Sequence, residues 1–559
     1  MTLFIRNLAS LATACVLAGL AACGDSTTDP GGNAPVTPTG LTATVQANNS
    51  IHVSWSAVTG ATSYKLERAD ASAPGSFTGV GGSLSTTTYT DAATQAGQTY
   101  SYRVAAANAD GASAFSTAVQ AAVAGAKVAT LSGILTQSRT LFADTLYTLS
   151  GYVKVANGAT LTIEPGTMIE GDFNVKGSSL WILRGSKVIA NGTAAAPIIF
   201  TSAQPVGQRK PGDWGGLIII GNGISNRSGT IFSEGPQGVT EIYSGGSDFN
   251  DNSGSLKYVR IEFAGYDVTG TGQELNALSS YAVGRGTTYE YIQTMAGLDD
   301  SFEWFGGAVD GRYLISYEAG DDHFDWSEGY RGRNQFLIAF QSARLAPAPG
   351  TGGISSDPEG FEGDGCPTGE AGCDAGNAQA PYSMPVFANF TIIGPGAAVT
   401  ASASGDYGAV IRRGTGGYFT NGIIARWARQ GITVRDAFTN TQLATNDSLN
   451  IVNLLLAENG ANYDADGGPN FGQQGVFAAD NHVEAAGSAA SLFNSLAAPT
   501  FDWTPATGSP AAGITGAIAI PAGYAASYFG GTLTPGAYYG AADPAGPKWW
   551  QGWTSYAQN

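Results

Sequence analysis

Histidine and cysteine are nearly absent from this 559-residue chain, which has three of the former and four of the latter. With so few soft ligands, a transition-metal centre of the zinc-finger or copper type has almost nothing to be built from. Charged residues make up only 13% of the chain, about half the usual share, which disfavours long solvated helices and coiled coils. Positive charge is scarcer still: 26 Lys and Arg stand against 44 Asp and Glu, for a net charge of −18. A protein that neutralises phosphates needs the opposite balance, so nucleic acid is excluded as a partner class. What is abundant is glycine, 79 residues, beside 43% apolar and 10% aromatic residues in short alternating runs. That combination excludes disorder and predicts an all-β chain with many turns, too long for a single core.

Residues 1–22 read as a secretory signal, with Arg6 at its positive end and an apolar run from Leu8 to Leu20. The run is too short for a permanent membrane span and is the longest apolar one in the chain. It ends in Leu20-Ala21-Ala22-Cys23, which resembles the bacterial lipobox, with Cys23 as the acylated residue. Residues 23–37 then form a polar, Gly-containing tether. Several acyl chains, at about 0.8 kcal/mol per buried methylene, hold a protein on a bilayer durably. Gly24 after the cysteine, in place of Asp, resembles lipoproteins sorted to the outer membrane, so an outer-membrane lipoprotein facing either the surface or the periplasm is expected. Cys15 leaves with the signal, and Cys366 and Cys373 remain as a disulfide pair closing a short loop in an exported chain.

From 38 to 125 short alternating strands recur, among them Ile51-His-Val-Ser-Trp55, Ser63-Tyr-Lys-Leu-Glu-Arg68 and Thr99-Tyr-Ser-Tyr-Arg-Val-Ala-Ala106. At these residues the segment resembles a fibronectin type III domain, which implies that Trp55 is its core tryptophan and Tyr100 its corner tyrosine. Such a module is expected to act as a spacer.

Beyond residue 128 internal repeats appear. Ala159–Gly171 aligns with Ser178–Ala190, nineteen residues on, placing Leu161 against Leu180 and Gly166 against Gly185. Asp299-Asp-Ser-Phe-Glu-Trp304 recurs as Asp321-Asp-His-Phe-Asp-Trp326 after 22 residues. Periods near twenty with two or three short strands each predict a solenoid, here a right-handed parallel β-helix over 130–500, interrupted by long turns at 223–256, 342–385 and 459–475. Residues 501–559, with Trp549, Trp550, Trp553 and Tyr556, are expected to cap its last coil. Leu161-Thr-Ile-Glu-Pro-Gly-Thr167, Gly212-Asp-Trp-Gly-Gly-Leu-Ile-Ile-Ile-Gly-Asn222, both acidic hexapeptides and the Trp549-Trp-Gln-Gly-Trp553 terminus resemble bacterial β-helix surface lipoproteins of uncharacterised activity.

If 22 residues make one coil, Asp299, Asp300 and Glu303 lie under Asp321, Asp322 and Asp325. Carboxylates ~4.8 Å apart repel by roughly 3 kcal/mol at an effective dielectric near 20. Something must offset this: a hard cation such as Ca²⁺ held by these six residues, a neighbouring Arg, hydrogen bonds from turn amides, raised pKa values as in an active site, or splaying into solvent. Arg285, Arg312, Arg331 and Arg333 are the available counter-charges nearby. Trp304 and Trp326 stack either in the core or outside as a platform for sugar rings. Asp248–Gly254 and Asp464–Gly468 read as ordinary Asx-rich loops.

The fold is shared with pectate lyases and polygalacturonases, and Gly320-Asp321-Asp322 resembles one polygalacturonase motif. The other motifs of that family are missing, and Arg260-Ile261-Glu262 reverses a charge where Arg-Ile-Lys is required. The expectation is therefore a non-catalytic lipoprotein presenting a rigid β-helix to a polysaccharide or an envelope protein. The alternative is a polysaccharide lyase or hydrolase using Asp299, Asp300, Asp321, Asp322 and Arg312.

Overall fold

The computed structural model describes residues 33–46, 49–70, 73, 75–125, 127–267, 273–399, 401–402, 404–514 and 520–556. The signal, Cys23 and most of the tether lie outside these residues. The chain divides into two compact units, 1–126 and 127–559. Among the described residues no helix is long and apolar enough to cross a membrane.

The first unit is a β-sandwich. Thr42–Val45, Ile51–Ser54 and Thr88–Asp91 form one antiparallel sheet, and Thr78–Leu84, Ser63–Asp70 and Thr99–Asn108 form the centre of the other. Period-2 alternation turns Ile51, Val53, Leu66, Tyr102 and Val104 inward, where they are fully buried. Trp55 packs edge-on against Tyr64 in this core. The Tyr100 hydroxyl accepts the Gln95 amide at 2.9 Å, the corner contact expected of that residue.

The second unit is the parallel β-helix. Its first coils carry three strands each: Tyr152–Val155, Thr160–Ile163 and Met168–Gly171 pair in parallel with Ser179–Ile182, Lys187–Asn191 and Ile198–Ser202 of the next coil. From Gly254 the second and third strands merge, because Gly254–Glu262 continues both. The merged strand bends at one residue per coil: Tyr258, Tyr291, Tyr313, Phe336, Asn389, Asn421 and Asn453 all have φ between 49° and 62°. Asn tolerates this left-handed conformation; a bulky aromatic does not without compensation. Here the compensation is stacking, with the four aromatic rings 4.3, 4.4 and 5.0 Å apart in succession.

The 19-residue likeness is not the coil period. Leu161 is in register with Arg139 and Val188, and Leu180 with Val153 and Leu217. The likeness relates two strand–turn units that fall at different corners of the coil, each ending in a left-handed glycine, Gly166 or Gly185, followed by a buried hydroxyl residue, Thr167 or Ser186.

The C-terminal aromatics also differ from expectation. They run along the flank of the stack and leave its last coil uncapped by them. Trp553 meets the edges of Tyr258 and Tyr291 at 5.7 and 6.1 Å, and Trp549 lies 5.1 Å from Tyr313. Ser555 and Gln293 exchange hydrogen bonds of 2.6 and 2.8 Å. Farther along, the buried Arg333 is chelated by Asp310 and donates to the carbonyls of Tyr524 and Ala526. The strap covers the apolar outer face of the merged strands (Ile315, Ile338, Phe340), which water would otherwise wet. Trp553→Ala should therefore cost about 3–5 kcal/mol in urea denaturation. Hydrogen exchange should quicken at 258–262 and 291–295; acceleration confined to the last coil, 449–457, would contradict this placement.

Candidate functional site

Three successive strands of the ten-stranded sheet build the site: Phe302–Phe305, Phe324–Ser327 and Glu359–Gly363. They pair in parallel with Phe302, Phe324 and Phe361 in register, and Glu303, Asp325 and Glu362 in register beside them. The pleat sends the aromatics into the core and the carboxylates to the outer face. Phe302, Trp304, Phe324, Trp326 and Phe361 are almost completely buried, with Phe302–Phe324 rings 5.3 Å apart. Trp304 and Trp326 are thus core residues and not a ligand platform: both faces of each indole are inside the coil.

A second column runs through the corner before the first two strands, Asp299-Asp300 and Asp321-Asp322, and the first residue of the third, Glu359. The chain can come this close only because residue 320 is glycine: a Cβ there would lie 1.8 Å from the Leu298 carbonyl oxygen. One side chain per corner accepts the amide of the coil above: Asn276 from Asp300 at 3.2 Å, Asp300 from Asp322 at 2.8 Å and Asp322 from Glu359 at 2.5 Å. This is the amide-bonded scaffold weighed from the sequence, but it occupies only one oxygen of each acid.

The remaining oxygens crowd together. Asp299, Asp300 and Asp321; Asp300, Glu303 and Asp325; Asp321, Asp322 and Glu359; and Asp322, Asp325 and Glu362 each bring carboxylate oxygens within 4.8 Å of one another. All six acids expected to hold a cation are here, together with Glu359 and Glu362. The arginines expected to balance them are elsewhere. Arg312 lies on the other sheet, paired with Glu290 and stacked on Phe529, which removes it from any catalytic set. Arg285 and Arg333 face Asp310, and Arg331 donates to the Tyr382 carbonyl. Compensation reaches only the far end, where Arg412 meets Glu362 at 2.7 Å and Asp364 at 2.9 Å, and Arg413 also pairs with Asp364.

Burial, reinforced by neighbouring carboxylates, therefore pushes these groups up. Asp325 rises to about 7, through burial and then Asp364. Glu362 rises to about 8 for the same two reasons, with Arg412 opposing. Asp299, Asp300, Glu303, Asp321, Asp322 and Glu359 lie well above the ordinary carboxylate range, with burial the leading cause in each. His323 is no base here: its ring is in the core against Ser316, and burial lowers it to about 3.

Buried oxygens without a hydrogen-bond partner mark where a cation fits. They are one oxygen each of Asp321 and Asp325 and both of Glu359, whose residue is fully buried. Hard oxygen donors in this number suit Ca²⁺. Asp299, Asp300, Glu303, Asp321, Asp322, Asp325, Glu359 and Glu362 are the residues that would supply the ligands, in four overlapping groups of three, and a cation held by any of these groups would bring positive charge to a carboxylate-rich site.

The strand carboxylates form the floor of a cleft of about 490 Å³. One wall is the excursion through Arg227, Ile231, Phe232, Glu234 and Tyr243, the other the loop bearing Pro367 and Glu370. Ile231 and Tyr243 anchor the first wall on Trp181, Ile218, Tyr281 and Phe305. The second is closed by the Cys366–Cys373 disulfide. The walls are latched together: Arg227 donates to the Ala371 carbonyl at 2.6 Å and to Glu328, and the Ser228 amide to the Gly372 carbonyl at 2.9 Å. The two Asx-rich loops stay outside the site. Asp248 accepts the Asn250 amide, and Asp464 accepts the amides of Val434 and Gly472.

Glu359, Glu362 and Asp364 escaped the sequence reading, although Glu359-Gly-Phe-Glu-Gly363 is a third, degenerate copy of Asp322-His-Phe-Asp-Trp326. An inserted excursion stretches the spacing from 22 to 37 residues, and glycine replaces the tryptophan. A Cβ at Gly363 would lie 2.1 Å from the Trp326 ring, so Trp326 itself fills that space.

A family model described as a pectate-lyase like β-helix domain matches residues 133–504, and a fibronectin type III model matches residues 36–122. No curated protein matches the chain. Among solved structures, it is similar to an Fn3-like protein from Clostridium thermocellum, with 26% identity over 16% of this chain and 91% of that one, at a TM-score of 0.14. It is also similar to a mutant of FN3tt (17% identity, 16% and 97%, TM-score 0.15) and to a segment of titin (24%, 16% and 32%, TM-score 0.15).

The electrostatics predict how stability varies with pH. A carboxyl raised in the folded state keeps a proton that the unfolded chain has lost, so stability falls as pH rises from about 4 towards 8. Without divalent cations the melting temperature should drop between pH 5 and pH 8, and the doubly neutralised variant Asp325→Asn/Glu362→Gln should show a shallower drop. Millimolar Ca²⁺ should restore the melting temperature at pH 8 and do far less at pH 5. A flat or rising profile, or indifference to Ca²⁺ and to EGTA at pH 8, would contradict the arrangement.

Proposed function

The chain belongs to the pectate-lyase-like β-helix family, a membership that supports a carbohydrate-related function, and from that premise we propose that it is an outer-membrane lipoprotein which binds an acidic polysaccharide in the carboxylate cleft without cleaving it. The observation that carries this reading is the strip itself: eight carboxylates on a rigid sheet and its corner, four of their buried oxygens without a hydrogen-bond partner. Bare, such a floor offers a uronate chain no positive charge; with Ca²⁺ held by the same carboxylates it attracts one. Elimination chemistry needs a basic group over the substrate, and the arginines that line the cleft among the described residues, Arg227 and Arg413, are both engaged in ion pairs. The Leu20-Ala21-Ala22-Cys23 motif supports acylation of Cys23, and with Gly24 it supports the outer membrane as the place of anchorage.

One observation favours a second reading, a glycoside hydrolase. Glu362, pushed up to about 8, keeps its proton at neutral pH beside other carboxyls, as a general acid must, while Asp325, at about 7, is shared between its two forms.

Affinity electrophoresis through polygalacturonate tests the first reading. Wild-type protein should be retarded with Ca²⁺, and released by EGTA or by Asp325→Asn/Glu362→Gln. Equal mobility in gels with and without the polymer, in the presence of Ca²⁺, would overturn it. Release of reducing ends without unsaturated products, abolished by Asp325→Asn or Glu362→Gln, would establish the hydrolase instead.

A further inference from the structure

The cleft has a polar floor and one exposed ring. Phe232 lies 53% exposed on the wall above Glu303, Asp325 and Glu362, although leaving a phenyl ring in water forfeits about 2 kcal/mol of burial. The ring is not on a loose tip. Phe232 bridges Ile242 in antiparallel fashion, and the flanking backbone bonds, Ser233 amide to Glu241 carbonyl and Tyr243 amide to Ile231 carbonyl, measure 2.8 and 3.1 Å. The neighbours on both sides are tied down: Ile231 packs into the cluster below, and Lys154 grips Glu241 at 2.6 Å. Gly235 passes so close to Trp181 that a Cβ would sit 3.2 Å from the indole. The excursion thus spends several contacts to hold an apolar ring over a row of hydrogen-bond acceptors.

A ligand complementary to that pair of surfaces has one face of C–H groups and an edge of hydroxyls. We propose that Phe232 is the stacking platform for a pyranose ring of the bound polysaccharide, with the sugar's polar edge turned to Glu303, Asp325 and Glu362. This assignment rests on the cleft reading above and replaces the buried Trp304 and Trp326 as the sugar contact. It gives the wall of the cleft a role distinct from that of its floor: the floor takes hydroxyl and carboxylate groups, and the wall selects for a flat apolar sugar face.

The test compares variants of the full chain on polygalacturonate with Ca²⁺. Phe232→Ala should weaken retention about tenfold, Phe232→Trp should keep or tighten it, and Ile242→Ala, at an exposed apolar residue that does not line the cleft, should stay within about twofold of wild type. Circular dichroism and melting temperature should be unchanged in all three. If Phe232→Ala binds like wild type while Asp325→Asn/Glu362→Gln fails, the platform is wrong and the cleft reading stands. If all of these variants bind like wild type, or if wild type itself is not retained, both fall.

Discussion

Parallel pairing of one coil on the next is the constraint from which the other features descend. It fixes which residue sits over which, and it does so without regard to chemistry. The register that sets Phe302 on Phe324 and Phe361 also sets Glu303 on Asp325 and Glu362. The first column gains stacking worth about 0.5–1.5 kcal/mol per pair; the second incurs repulsion of roughly 3 kcal/mol per charged pair. Neither column can relax without slipping the strand, and a one-residue slip would drive the carboxylates into the core. The acids respond in the way left to them, by holding protons, while at the adjoining corner Asp300 and Asp322 accept amides from the coil above.

The two excursions turn this strained face into a cleft. Without them the outer surface of the sheet would carry Trp181, Ile218, Ile220, Tyr281 and Phe305 in open water beside the acids. The 223–253 segment buries that apolar half and leaves the acidic half open. The disulfide loop then walls the open half from the other side, joined to the first wall by Arg227 and Ser228. Stability and accessibility are thereby assigned to neighbouring columns of one sheet.

How much of this the sequence disclosed depended on coil length. The Asp299 and Asp321 hexapeptides announced their stacking because nothing is inserted between them. The third copy at Glu359 was hidden by an excursion, and with it went a third of the carboxylate floor. The Ala159 and Ser178 segments misled for the opposite reason: two different corners of the coil, Gly166-Thr167 and Gly185-Ser186, are both built from a left-handed glycine and a buried hydroxyl, so they look alike. The strap was misplaced because the C-terminal aromatics have partners, Tyr258, Tyr291 and Tyr313, that are hundreds of residues distant. The fibronectin-like unit was fully legible, since its Trp55 and Tyr100 act through neighbours close in sequence.

The central claim is that coil register forces uncompensated carboxyls together, so that at neutral pH they hold protons until a cation takes their place. Difference infrared spectroscopy of cation-free protein at pH 7 reads this directly. A protonated-carboxyl C=O band should be present, should vanish on adding Ca²⁺ as symmetric carboxylate bands grow, and should diminish in Asp325→Asn/Glu362→Gln. A cation-free spectrum with no protonated carboxyl at pH 7, or a band that Ca²⁺ leaves untouched, would contradict the account.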